Sequence, residues 1–369
     1  MSAAQTHLVD AYCHGVFPGD LGLGAFEARL PGAAAPGSTL FDSPAGFAVR
    51  RWCPPLLGLE PYCPPAHYLA RRRELGAYAT ARRLLRGAGI GGYLVDTGEP
   101  GDLTAPGELG AAAAAPAYET VRLEPVAQQV ADTSGTADAF LANLVEAVHG
   151  AAPTVMGFSC GDEPPAGEDD TRPPGPAQVR RAAGYWLGTR AVGRLPTDPV
   201  LLRHLRWQAV GTGRPLLLRY APAGPGPRAD ENFLRATAGA GTDVVLLPGR
   251  PSHRTAAADL AAALGHVHVA VDGDPAAVLD RAPFGKVLYA SGTAGLPELY
   301  VTAARCFRTA LDRVVGERVA AGEWSVADGR RVAALVGAGN ARRVYRLPGA
   351  DGGSALLPHP RLAGLGADR

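Results

Sequence analysis

The chain predicts an α/β fold: a (β/α)8 TIM barrel with a helical insertion after the first strand. Three observations carry this. Eight short apolar runs recur along the 369 residues. Segments of helical spacing lie between them. Each run is nearly continuous in apolar residues, as strands buried on both faces of a parallel sheet are.

The elements follow in order. Residues 8–14 (LVDAYCH) read as strand one. Residues 37–86 form the insertion; within it Tyr68, Leu69, Leu75, Ala79, Leu84 and Leu85 recur at three- and four-residue spacing, one face of a helix. The glycine-rich stretch 87–92 reads as a turn into strand two, because a dinucleotide-binding loop must follow a strand. Strand two is 90–96 (IGGYLVD) and strand three is 120–126 (TVRLEPV). Phe140, Leu141, Leu144, Val145 and Val148 mark a helix over 137–149. Strand four is 154–160 (TVMGFSC), followed by a polar, Pro-rich loop at 161–176 that either covers the barrel mouth or stays a surface loop. Strands five to eight are 214–220, 243–249, 266–272 and 287–292. C-terminal helices occupy 296–348, with Ser325 and Asp328 as a start signal and Gly337–Asn340 as a helix-ending turn. The whole of 1–369 is one domain.

Composition narrows the function classes. Net charge is +1, from 36 basic and 35 acidic residues. No global field therefore favours nucleic acid or a membrane surface as partner. No apolar stretch of about 18 residues or more suggests a span. Lys286 is the sole lysine; the Arg, Gly, Ala and Pro bias reads as GC-rich coding. The five cysteines are odd in number, lack a CxxC pair and suggest reduced thiols; with no secretory leader pattern, a cytoplasmic protein is expected. No GxSxG elbow occurs, and His266 and His268 read as structural.

Polar groups cluster at the ends of the predicted strands, where a parallel barrel carries its chemistry. They are Asp10 and His14 on strand one, Asp96 on strand two, Glu124 on strand three and Arg219 on strand five, then Arg250, His253, Arg254 and Glu298 beyond strands six and eight. Cys13, adjacent to His14, points to the opposite face and reads as core. Cys160 has no identifiable base.

The full chain resembles the amidohydrolase superfamily (amidohydrolase 2 type), specifically its glutamine-synthetase-associated branch. The resemblance rests on LVDAYCHGV (8–16), FAVRRWC (47–53), LVDTG (94–98), DPVLLRHL (198–205), PSHR (251–254), KVLYASGTAGLPEL (286–299) and NARRVYRL (340–347). It implies a metal centre at the strand ends: an HxH pair on strand one, a ligand on strand four, histidines on five and six, and an aspartate on eight. The corresponding residues here are Tyr12 with His14, then Ser159, Arg219, Pro248 and Gly292. The metal positions are thus degenerate. Arg cannot ligate, and Pro and Gly bring no side-chain donor. No metal and no other cofactor is expected, and the catalytic residues are left unassigned.

Two classes of function follow. The first is a pseudo-hydrolase binding a small anionic, amino-acid-like or γ-glutamyl-like metabolite, or pairing with a partner subunit or a second copy. The second is a repurposed, metal-independent enzyme of secondary metabolism acting on such a metabolite. Residual metal-dependent amide hydrolysis ranks last. Arg219 either receives the anion or pairs internally with Asp10, Asp96 or Glu124. The resemblance gives Glu298 an amine and His253 with Arg254 an acidic group; the alternatives are a helix-start carboxylate and surface pairing.

Overall fold

The computed structural model describes residues 7–98, 102–161 and 172–348. Eight parallel strands form one sheet in sequence order: β1 (Leu8–Cys13), β2 (Ile90–Asp96), β3 (Ala117–Arg122), β4 (Gly157–Cys160), β5 (Leu216–Arg219), β6 (Val244–Leu247), β7 (Val267–Val271) and β8 (Val287–Tyr289). The seam between β8 and β1 is held by the Gly292 amide on the Tyr12 carbonyl and the His14 amide on the Thr293 carbonyl, both at 2.9 Å. This is a nearly closed (β/α)8 barrel.

Two apolar layers explain why these strands close. Val9, Ala11, Leu94, Leu217, Val245, Ala270 and Leu288 fill the lumen. Leu8, Tyr93, Phe158, Leu218, Val269 and Tyr289 face the surrounding helices. Ala338, Ala341, Val344 and Tyr345 join the lumen cluster. Tyr345 packs beside Gly157, the first residue of β4, so the C-terminal helical segment seals the N-terminal end of the barrel. The opposite end is left for the site.

The insertion contains helices Pro44–Leu56 and Pro65–Leu75; helix Ala77–Ala88 then leads to β2. Ser43 caps the first of these through the Gly46 amide. Gly89 ends Ala77–Ala88 in the left-handed region at φ +65°, confirming the turn into strand two. Helix Pro297–Ala320 packs against both Pro44–Leu56 and Ala77–Ala88. His268 bonds Asp243 and His266 bonds Thr237, each at 3.1 Å, in structural roles.

Two expectations need correction. Strand three runs Ala117–Arg122, and Leu123 already begins helix Leu123–Thr133. Pro125 falls in that helix's first turn, where proline is tolerated, whereas within a central strand it would remove a ladder hydrogen bond. Gly337–Asn340 does not end a helix: residues Leu335–Gly339 form a π turn between Val326–Ala334 and Asn340–Val344. The Asn340 amide there donates to the Phe284 and Val287 carbonyls at 2.7 and 2.8 Å, tying this turn to β8. Of the Pro-rich loop, 162–171 lie outside the described residues. No helix among the described residues is long and apolar enough to cross a membrane.

Candidate functional site

Asp96, the last residue of β2, is the hub of the barrel mouth. Its Oδ2 accepts the Ser159 hydroxyl at 2.6 Å, the Tyr12 phenol at 2.9 Å and Arg122 Nε at 3.2 Å. Its Oδ1 accepts the Gly98 amide at 2.8 Å, and its carbonyl meets His14 Nδ1 at 3.0 Å. Arg122 also reaches the Tyr12 oxygen at 3.3 Å. Three strands thus send side chains to one carboxylate on a fourth. Burial alone would raise the Asp96 pKa, but Arg122, the Ser159 hydroxyl, His14 and Arg219 outweigh it and hold the carboxyl below its ordinary 3.8. Burial, then the charge of Asp96, pushes the Tyr12 phenol well up, so it stays a donor.

Arg122 was missed at the sequence level, because strand three was placed three residues too late. With the strand ending at Arg122, its guanidinium lies beside Asp96 and Glu124 moves to the first turn of the next helix. Glu124 accepts the Gly161 amide at 2.5 Å, while the wholly buried Arg206 donates to the Gly161 carbonyl at 2.9 Å. Arg206 also pairs with Asp230 at 2.6 Å, and Asp230 accepts the Tyr220 phenol at 2.8 Å. The chain leaving β4 is therefore gripped by both the amide and the carbonyl of one residue. Arg206 and Asp230 gave no local signal, since the residues that need them are 45 and 24 positions away.

Arg219, at the end of β5, faces Glu124 across 3.8 Å. That is an ion pair too long for a direct hydrogen bond. Its side chain is 24% exposed and its Nε has no partner. Pro248 is buried just after β6, and Arg250 stands exposed as the N-cap of helix Pro251–Ala263. His253 in that helix is buried, with neither ring nitrogen bonded. Burial and then Arg250 hold its pKa below 6.5, so it is neutral at pH 7. It packs against Gly226 on the β5–β6 connection. Arg254 is committed elsewhere, to the Asp272 carboxylate at 2.6 Å and its carbonyl at 2.9 Å.

Two residues expected at the mouth lie outside this network. The register of β1 slips between Leu8 and Asp10 and again between Asp10 and Cys13, so strict alternation fails. Ala11 and Tyr12 both join the lumen, while Asp10 sits in the outer layer, where its charge acts on Tyr93, Tyr289, Tyr300 and Cys13. Glu298 is wholly buried: Tyr68 donates to its Oε1 at 2.7 Å, and Arg72 pairs with that oxygen at 2.9 Å. The insertion thus claims Glu298. Cys13 and Cys160 are fully buried, and burial pushes both thiols far above their ordinary 9.0.

A metal centre does not fit these residues. Among the described residues, no group of three His, Cys, Asp or Glu side chains could hold a metal ion. The strand ends offer a phenol, a hydroxyl and two guanidiniums around one carboxylate, one of whose oxygens already accepts three hydrogen bonds. A divalent ion would meet Arg122 and Arg219 at close range. At Gly292 the backbone has φ +62° and donates its amide to Tyr12, with no side chain to act as ligand or base.

Neither a protein-family model nor a curated protein sequence matches the chain. Solved structures do. A Lactobacillus casei protein, provisionally named a metal-dependent hydrolase, aligns with TM-score 0.79 at 18% identity, covering 93% of this chain and 96% of that one. A uronate isomerase from Thermotoga maritima aligns with TM-score 0.66 at 12% identity, over 93% and 95%. A glucuronate isomerase from Caulobacter crescentus gives 0.64 at 10%, over 93% and 92%. At these identities the likeness is one of fold. The barrel implied by the resemblance is the one observed.

Proposed function

We propose that this chain is an amidohydrolase-like barrel in which a guanidinium-centred network replaces the metal centre, and that its mouth binds a small anionic metabolite. The carrying observation is Arg122, whose guanidinium, with Tyr12 and Ser159, saturates the Asp96 oxygen that faces the strand ends. A fixed protein cation stands where the fold family uses a metal. It neutralises Asp96, but it cannot bring a water to a pKa near neutrality as a bound metal does.

Arg219 is the anion receptor in this reading. Its partner Glu124 already serves Gly161, and the 3.8 Å separation leaves the guanidinium under-bonded. A ligand carboxylate offers it two parallel charge-assisted bonds. Arg250, exposed on the neighbouring loop, adds positive potential. Uronates, in the names of two structural neighbours, are carboxylates; the glutamine-synthetase-associated resemblance suggests an amino-acid or γ-glutamyl-like one instead. Both fit the same receptor chemistry.

One observation favours a second reading, a metal-independent enzyme. His253 is neutral, buried and unbonded at the rim, the state a general base needs. Turnover lost in His253→Ala, with ligand affinity kept, would select it.

Calorimetry with glutamate, a γ-glutamyl amide and glucuronate tests the proposal. One of them should bind, and Arg219→Ala should weaken that binding roughly tenfold or more, the worth of a hydrogen bond to a charged group. Unchanged affinity in Arg219→Ala would sink the assignment.

A further inference from the structure

A second cationic site lies on the outside of the barrel, between helices Pro44–Leu56 and Pro297–Ala320. It is a cleft of about 410 Å³ whose walls include Arg51, Trp52, Arg305, Cys306, Arg308 and Arg313. No mouth residue lines it. We infer that this cleft binds a phosphate monoester with a flat or apolar remainder.

The four guanidiniums of the cleft differ in how their charge is met. Arg313 is neutralised by Asp274 at 2.7 Å and Glu317 at 3.2 Å. Arg308 is held by the carbonyls of Ala88 and Gly89, at 2.7 and 2.6 Å, where it closes the C-terminus of helix Ala77–Ala88. Arg51 and Arg305 differ. Both side chains are exposed, and neither guanidinium forms a hydrogen bond or an ion pair to any described residue. Arg51 lies over the Trp52 ring, 5.2 Å from its centroid. Arg305 is close enough to Arg308 to oppose its charge, and Arg51 is close enough to Cys306 to favour its thiolate. Asp312 is the carboxylate whose charge reaches Arg308, one turn along the same helix. Two uncompensated positive charges therefore converge on a concave wall.

A structural explanation covers Arg308 and Arg313 but leaves Arg51 and Arg305 without a role. Like charges held together repel, and a dianion removes that repulsion. A carboxylate satisfies one guanidinium fork; a phosphate presents three oxygens and can serve two forks at once. The volume exceeds that of a bare phosphate and falls in the range of small-molecule pockets, roughly 300–1,000 Å³. The half-buried Trp52 ring supplies a flat apolar wall for the rest of such a molecule. The other occupant such a surface suggests is an acidic patch on a second copy.

Cys306 makes the test local, because it is an exposed free thiol within the cleft wall. The full chain is alkylated with N-ethylmaleimide, and each cysteine is followed by peptide mass spectrometry. Cys63, half-buried and not among the cleft-lining residues, is the internal reference. Inorganic phosphate should slow Cys306 several-fold without changing Cys63, and phenyl phosphate should do so at lower concentration. Chloride at matched ionic strength should not. The double variant Arg51→Ala, Arg305→Ala should lose the protection, each single variant raising the phosphate concentration needed roughly tenfold. Arg219→Ala should keep it, which separates this site from the mouth. Equal alkylation with and without phosphate overturns the inference. So does protection that follows protein concentration instead of phosphate, which would identify a self-association surface.

Discussion

Replacing Asp10 by Asn should make the protein more stable at neutral pH and almost indifferent at acid pH. Asp10 is wholly buried in the layer between barrel and helices. Its Oδ1 accepts the Ser291 amide at 2.8 Å, which staples β1 to the chain leaving β8. Its Oδ2 has no partner, and neither do the Tyr93 and Tyr289 hydroxyls in the same layer. Burial pushes the carboxyl from its ordinary 3.8 to about 7, against the opposing hydrogen bonds from Ser291 and Tyr12. The folded pKa is the higher one, so between about pH 4 and pH 7 the folded chain keeps a proton that the unfolded chain releases. Stability therefore falls as pH rises through that window and levels off above it. At ~1.4 kcal/mol per decade the full span is about 4 kcal/mol, of which about 3 kcal/mol falls between pH 5 and pH 8. Asparagine keeps the oxygen that accepts from Ser291, carries no charge, and presents an NH2 that the two tyrosine oxygens can accept. Urea unfolding at pH 5 and pH 8 measures the effect. The Asn variant should gain about 3 kcal/mol on the wild type between the two pH values. A difference independent of pH, or a variant that is the less stable at pH 8, would refute the reasoning.

Two further predictions concern the mouth. Arg122→Met should cost about 3–5 kcal/mol by leaving the Asp96 carboxylate buried without its cation; a fall in melting temperature no larger than that of an exposed Arg331→Met control would contradict the hub. Gly249→Ala should destabilise by about 1–3 kcal/mol, because its Cβ would lie 1.8 Å from the Tyr220 carbonyl oxygen, whereas Gly265→Ala meets nothing within 4 Å and should be neutral. Equal melting temperatures for those two alanine variants would count against the close approach of the β5 and β6 ends.

The barrel was legible because seven of its strands are dense apolar runs, and such runs report burial on both faces. β3 was the exception. Its sequence AYETVR is mixed and only partly buried, so a search for apolar runs slid onto LEPV, where Pro125 was the warning. That slip hid Arg122, the residue on which the site turns. The places of Tyr12, Ser159 and Arg219 were readable, since each lies in the last two residues of an apolar run. Their partners were not. Asp10 leaves the lumen through a slip in strand register that no side-chain pattern announces. Glu298 is claimed by Tyr68 from 230 residues away, a contact that exists only once the insertion has folded back.

On the proposed reading, Arg122 and its hydrogen-bond partners occupy the place of the metal. Elemental analysis of the purified full chain, after dialysis against a weak chelator, addresses it most directly. Zinc, manganese and iron should be far below one equivalent per chain, and the melting temperature should not change when those ions are added. One tightly held equivalent of any of them, lost on mutating His14 or Asp96, would contradict it.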